Sequence, residues 1–282
     1  MRDSYRFART PLWLAGHALA GVLLVIFLVA GFWQLSRHGE VRDRNAAISE
    51  REDMRPLDAD RFFEAVLDAG LTEALQYRSV ALPVVRFDWH EAVLIRNRSL
   101  DGLPGCHLAV PAAATSSDSV EQFGVLVVAG WLPQRGCAIV SGDETESREF
   151  VIFRLTEPAE ITGRIRTSQQ RGLLGPADPA EGELTTLARV DVERISRQTT
   201  LDLVPVYVEV TSAARPGGSM IELNPDCCGI SPVPLPTPEL DAGPHLGYAL
   251  QWFSFALVAI VGYPLVLRHQ ARRGESEQIA EA

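Results

Sequence analysis

The chain has 282 residues, with 36 acidic and 26 basic side chains and a formal net charge of −10. Every basic residue is arginine and no lysine occurs, which excludes a Schiff base, a P-loop lysine and a lysine general base. A net-acidic chain is also poorly suited to nucleic acid, so no nucleic-acid partner is expected.

Residues 10–36 contain no Asp, Glu or Arg, a run of 27, and residues 242–267 form a second such run of 26. A helix needs about 20 apolar residues to cross a bilayer core. Two transmembrane helices are therefore expected, over 11–35 and 245–267. Arg2, Arg6 and Arg9 resemble the basic start of a signal peptide. The apolar stretch, however, exceeds an h-region of about 7–15 residues, and no small-x-small cleavage site follows it. Arg268, His269, Arg272 and Arg273 directly after the second run read as a cytoplasmic stop, favouring a span over a buried core helix. Tails 1–10 and 268–282 are thus expected in the cytoplasm and residues 36–229 as one extracytoplasmic domain. Between 37 and 241 stand 20 Arg and 32 acidic residues, a net of −12. Pro232, Pro234, Pro236, Pro238 and Pro244 mark 230–244 as an extended linker. Ten residues are too few for an ordinary mitochondrial presequence, so the expected location is a bacterial plasma membrane.

Arg37–Arg55 reads as a polar extension of the first helix. Asp58 is a fair N-cap for a helix carrying Phe62, Phe63, Val66 and Leu67, with Gly70 as its break. Strand patterns follow, beginning with the alternation of Val80, Leu82 and Val84. Further short β-prone runs occupy Ala92–Ile95, Leu108–Val110, Val125–Val128, Phe150–Leu155, Glu160–Ile165, Leu187–Val192 and Val204–Val210. Turn signals separate them at Asp101-Gly102, Pro104-Gly105, Arg135-Gly136, Ser141-Gly142, 176–179 and Pro216-Gly217-Gly218. The predicted fold is an α+β membrane protein, with two transmembrane helices flanking a β-rich domain built as an antiparallel sheet or partial barrel.

The sequence advertises no enzyme, since GxSxG, HExxH, P-loop and GxGxxG patterns are all lacking. Cys106, Cys137, Cys227 and Cys228 form neither a CxxC nor a zinc spacing. Cys106–Cys137 is conceivable as a disulfide across neighbouring strands. The vicinal Cys227-Cys228 pair admits a soft metal, a vicinal disulfide or two idle thiols. Cys106-His107 is weakened as a site because strand neighbours point to opposite faces. Asp88-Trp89-His90-Glu91 gathers ionisable groups, most simply as a solvated turn. The opening of the second span is more specific. At 100° per residue, His245, Tyr248 and Trp252 fall within about 60° of one another. Trp and Tyr are enriched at membrane interfaces in any case. The same stripe also suits haem iron ligation by His245, with flat aromatics beside it.

His245-Leu246-Gly247-Tyr248-Ala249-Leu250-Gln251-Trp252-Phe253-Ser254-Phe255-Ala256 resembles the C-terminal signature of the Surfeit-locus-one (Shy-one-like) family of cytochrome c oxidase assembly factors. Gly31-Phe32-Trp33-Gln34-Leu35-Ser36-Arg37 is similar to that family's exit from the first span. Phe87-Asp88, Val93–Arg98, Gly102–Gly105, Pro111, Val125–Val127 and Gly130-Trp131-Leu132-Pro133 follow the family's middle motifs in order. Val128-Ala129 stands where the family usually has Asn-Arg, Val85 replaces a common Gly and Cys106 a common Tyr. The arginine-rich, lysine-free composition suits an actinobacterial branch.

The resemblance implies a non-enzymatic factor of the respiratory chain that assists insertion of haem a into the oxidase's catalytic subunit. It implies oxidase subunits and the haem a synthesis machinery as partners. His245 becomes the candidate axial ligand, Tyr248 and Trp252 the porphyrin-packing residues, and Trp33 and Gln34 further candidates at the same membrane face. Competing classes are a two-span scaffold or sensor that binds protein partners without haem, and an extracytoplasmic hydrolase. The topology predicts that a reporter fused at either terminus is active only in the cytoplasm. Protease added outside spheroplasts should digest residues between 37 and 241; protection of that segment would overturn the orientation.

Overall fold

The computed structural model describes residues 5–68, 72–116, 122–142, 158–172, 175–221, 223 and 231–280. The chain divides into two compact units, Met1–Ser49 with Glu239–Ala282, and Glu50–Pro238.

Helix α1 (Pro11–Asp53) begins on a proline and runs unbroken for 43 residues. Proline is favoured at a first helical position because the N–H it lacks would have no partner there. The polar extension expected over Arg37–Arg55 is helical to Asp53, with an i,i+3 ion pair of 2.9 Å between Arg37 and Glu40.

In the second unit, α2 (Ala59–Leu67) is capped as its sequence foretells: the Asp58 carboxylate accepts the Arg61 N–H at 3.0 Å. The expected break at Gly70 lies outside the described residues. There follow α3 (Thr72–Leu75), β1 (Ser79–Phe87), β2 (Val93–Leu100), β3 (Leu103–Thr115), β4 (Gln122–Pro133), α4 (Gln134–Ser141), β5 (Ala159–Thr167), β6 (Thr186–Leu187), α5 (Val192–Ser196), β7 (Leu203–Ala214) and β8 (Met220–Ile221). Helix α6 (His245–Ala280) returns to the first unit. Both α1 and His245–Arg273 of α6 are long and apolar enough to cross a membrane.

The strands form one sheet in the order β1-β5-β7-β4-β3-β2-β6, and β1 also pairs with β3. Five strands thereby close into a ring, the barrel alternative of the expected fold. The sheet is mixed rather than antiparallel, because β4 runs parallel to β7 and β2 parallel to β6. The chain between β4 and β7 holds α4, β5, β6 and α5, and this crossover returns β7 in the direction of β4.

Side chains alternate by two along each strand. Leu108, Val110, Val125, Val127, Val206 and Val208 fill one core with Phe62 and Phe63 of α2. Ala109, Leu126, Val128 and Tyr207 face a second core closed by Leu187, Val190, Val192 and Ile195. Val128 and Ala129, where the family usually has Asn-Arg, fall one into each core.

Several local expectations change. Of Leu187–Val192 only Leu187 is in a strand, and a helix starts at Val192 because the Asp191 carboxylate accepts the Arg194 N–H at 3.0 Å. Arg135-Gly136 lies inside α4, whose end is the left-handed Gly142. Pro104-Gly105 lies within β3, while the β2–β3 turn sits at Asp101-Gly102, both with positive φ. Phe150–Leu155 lies outside the described residues, as do Cys227 and Cys228. Residue 233 in the proline-rich stretch forms a bridge with Trp131.

Cys106 and Cys137 are disulfide-bonded, joining β3 to α4 rather than two strands. The link closes a 31-residue separation. In the chain-entropy picture a loop of that size stabilises by about 3.7 kcal/mol. Cys106→Ala/Cys137→Ala, or reduction of the wild type, should therefore lower the melting temperature by several degrees. Equal melting curves with and without reductant would contradict this.

Candidate functional site

The residues singled out at the two helices, Trp33, Gln34, His245, Tyr248 and Trp252, all belong to the first unit. Helices α1 and α6 pack antiparallel, as their partners show: His17 meets Tyr263, Phe27 meets Trp252 and Phe255, Phe32 meets Phe253, and Gln34 meets His245. Gly31 permits the approach. A Cβ at this position would stand 2.7 Å from the Phe253 ring, so only glycine fits without moving it.

The entry into α6 is tied down before His245. Asn45 Nδ2 donates to the Asp241 carbonyl at 3.1 Å, and the Asp241 carboxylate accepts the Gly243 N–H at 3.0 Å. Gly243 takes a left-handed φ of 69°, which turns the chain into Pro244 and the helix. The Tyr248 N–H then donates to the Pro244 carbonyl at 3.1 Å.

His245 Nδ1 lies 2.9 Å from Gln34 Oε1. An amide oxygen only accepts, so the contact puts the proton on Nδ1, and it is Nε2 that carries the lone pair in the neutral ring. A Cβ on Gly243 would come 3.6 Å from Nε2, so the glycine leaves that edge of the ring uncovered. Two turns further along α6, Trp252 stacks on Phe27 with centroids 5.9 Å apart and meets Phe255 edge-on at 5.9 Å. Tyr248 is 50% exposed and Trp33 61% exposed, and neither joins this ring cluster. The structure thus brings His245 and Gln34 into direct contact and places Trp252 within the aromatic cluster.

Among the other expectations, Asp88 pairs with Arg86 at 2.8 Å and the Glu91 carboxylate accepts the Thr200 N–H at 3.0 Å, so these two carboxylates of the Asp88–Glu91 stretch are engaged in structural contacts. Cys106 belongs to the inner core while His107, its neighbour, lies on the other face. Among the described residues no group of three His, Cys, Asp or Glu is arranged to hold a metal ion.

Two arrangements escaped sequence reasoning. His17 accepts from the Tyr263 hydroxyl at Nδ1 and donates from Nε2 to the Ala8 carbonyl at 3.0 Å, leaving neither nitrogen open. Its signal was a lone imidazole inside a charge-free run. The second arrangement is a polar cluster on the outer sheet face, around Arg98, Arg164, Arg166, Gln169, Tyr207 and Glu209. It joins residues from three strands and a loop, and no local pattern announces it.

Residues 21–257 match the model of the SURF1 family. The chain belongs to the SURF1 family. It is 25% identical over 251 residues to a SURF1-like protein of Rickettsia felis, covering 88% of this chain and 95% of that protein. Uncharacterized SURF1-like proteins of Mycobacterium bovis and Mycobacterium tuberculosis are 25% identical over 279 residues, covering 95% of this chain and 89% of theirs. SURF1 membership suggests a factor in cytochrome oxidase assembly.

On the sheet, burial and the neighbouring Arg98 and Arg166 cations pull the His107 imidazole down to about 4. The unfolded chain titrates near 6.5, so below that pH it binds a proton that the folded protein refuses. Stability from this residue is full above pH 6.5 and lost between about 6.5 and 4. With each pH unit worth about 1.4 kcal/mol, the loss amounts to at most about 3.5 kcal/mol. Thermal melts from pH 7 to 4 should fall more steeply for the wild type than for His107→Gln; parallel curves would contradict the assignment.

Proposed function

We propose that this SURF1-family protein is a two-span membrane factor for the assembly of haem-copper cytochrome c oxidase, holding haem a transiently on its way to the catalytic subunit. Its main domain is extracytoplasmic and both tails are cytoplasmic in this reading, as the arginine distribution requires. The observation that carries it is the state of His245: Nδ1 engaged by Gln34 and Nε2 left with an open lone pair. Haem a would supply a ferric or ferrous iron that accepts one imidazole nitrogen.

The chain's own residues fit that group. Gln34 orients the His245 ring and makes Nε2 the ligating nitrogen, the role that hydrogen-bonded partners play for metal-bound histidines. Gly243 keeps side-chain bulk away from the same edge. Trp252, stacked on Phe27 and meeting Phe255, offers flat apolar surface two turns from His245 along the same helix stripe, and exposed Tyr248 lies one turn from His245. A single histidine, partly exposed, suits release as well as capture. His17 does not compete, because both its nitrogens are occupied.

The full chain, coexpressed with haem a synthesis and purified in detergent, should show a haem band that His245→Ala abolishes and His17→Ala retains. An unchanged band in His245→Ala would sink the ligand assignment. Gln34→Leu should weaken haem retention by roughly tenfold or more. A deletion strain should lose the haem a bands of its oxidase; a normal oxidase spectrum would overturn the assembly role.

A further inference from the structure

The chain between β5 and the end of α5 gathers cations around one opening. Arg171, Arg189, Arg194 and Arg197 all line an open cavity of about 240 Å³. They do so in a segment, residues 37–241, whose net charge is −12.

Three carboxylates share the wall, and each has a structural task. The Asp178 side chain is 6% exposed, pairs with Arg96 at 3.0 Å and accepts the Ala188 N–H at 2.9 Å; Arg96 does not line the cavity. Glu193 holds Arg197 at 2.5 Å. Asp191 accepts the Arg194 N–H and so caps α5. Glu181 and Glu183, in the same stretch of chain, are exposed and do not line the opening. Among the described residues, Arg171, Arg189 and Arg194 pair with no carboxylate. Asp191 is the one wall carboxylate that no arginine side chain engages, so two positive charges stay uncompensated.

The donors are also in surplus. Arg194 is 7% exposed and meets only neutral acceptors, the Pro179 carbonyl at 2.7 Å, the Gly182 carbonyl at 2.7 Å and Gln198 Oε1 at 3.0 Å. These bonds use three of the five N–H donors that a guanidinium carries. Arg189 donates once, to the Pro176 carbonyl at 2.6 Å, and Arg171 donates to no described residue. Arg171 and Arg197 are exposed and Arg189 is half-buried, so a solute reaches their donors directly.

The cavity far exceeds the ~30 Å³ share of one water and falls below the roughly 300–1,000 Å³ of pockets for drug-sized ligands. Guanidiniums approaching from several residues suit a tetrahedral oxyanion, which accepts along several directions, whereas one fork is enough for a planar carboxylate. We propose that this cavity binds a phosphoryl group, carried by a small soluble phosphate ester or by a lipid headgroup. Arg171 and Arg189 grip its oxygens, and the buried Arg194 charge holds the wall positive. The site is independent of the haem reading, since every residue in it belongs to the second unit.

The test is equilibrium dialysis of radiolabelled inorganic phosphate against the purified full chain in uncharged detergent, at constant ionic strength. Phosphate should bind saturably at one per chain. Glycerol phosphate and dihexanoyl phosphatidic acid should both compete, the tighter of the two identifying a soluble or a lipid source. Acetate should compete at least tenfold more weakly. Arg194 braces backbone, so the variants spare it. Arg171→Gln/Arg189→Gln should melt with the wild type and weaken phosphate binding by at least about tenfold, the loss expected for charge-assisted hydrogen bonds. Arg215→Gln removes an exposed charge outside the cavity and should leave binding unchanged. Absence of saturable binding, acetate competing as well as glycerol phosphate, or an unaltered affinity in Arg171→Gln/Arg189→Gln would each overturn the proposal.

Discussion

Strand β3 is paired along both edges. One edge meets β4 from Gly105 to Thr115; the other meets β2 as far as Ala109 and then β1 at Ala112–Ala114. That second, short contact closes five strands into a ring, and the inner core depends on it. It converts an open sheet, with edge strands that would need other cover, into a surface whose backbone donors and acceptors meet one another. Ala112, Ala113 and Ala114 at the seam are completely buried. Ala114 stands opposite Phe123, whose ring stacks on Phe63 of α2 at 4.2 Å, so the first helix of the unit is anchored where the ring shuts. Closure also defines inside and outside, and every second residue of β4 and β7 then has an assigned face.

A comparable economy governs the helix pair. Two of the imidazoles along it, His17 and His245, differ in chemistry because their partners differ. His17 is satisfied at both nitrogens by a hydroxyl and a backbone carbonyl, which makes it an interhelical clip. His245 meets one acceptor, which sets its tautomer and leaves the other nitrogen available. Composition alone would have ranked them equally. The difference lies in which residue of the opposite helix arrives at the same height, and packing decides that through Gly31 and Phe253.

Much of this was legible in the sequence because it depends on local pattern. Charge-free runs of sufficient length marked both long helices, alternation marked the strands, and Asp58 before an apolar stripe marked α2. The Gly31–Arg37 and His245–Ala256 motifs carried the family. What escaped depends on contacts between distant residues. The parallel pairing of β4 with β7 requires a crossover that no window of sequence reports. The helix at Val192 replaces a strand because Asp191 caps it, overriding the β-branched character of the run. Gln34 was named for its position, but its hold on His245 joins residues 211 apart. The cluster of Arg98, Arg166 and Glu209 likewise assembles only once β2, β5 and β7 are in place.

Consider finally the three heights at which α1 and α6 are matched: His17 with Tyr263, Gly31 with Phe253, and Gln34 with His245. A hydroxyl, a missing Cβ and an amide each serve only one partner. Sliding either helix by a residue would break two polar contacts and drive the Phe253 ring away from the one position with room for it. The pair therefore works as a vernier with a single aligned mark. Any rearrangement at His245 must come from turning its side chain about χ1 and χ2, not from a piston stroke of the helix that carries it.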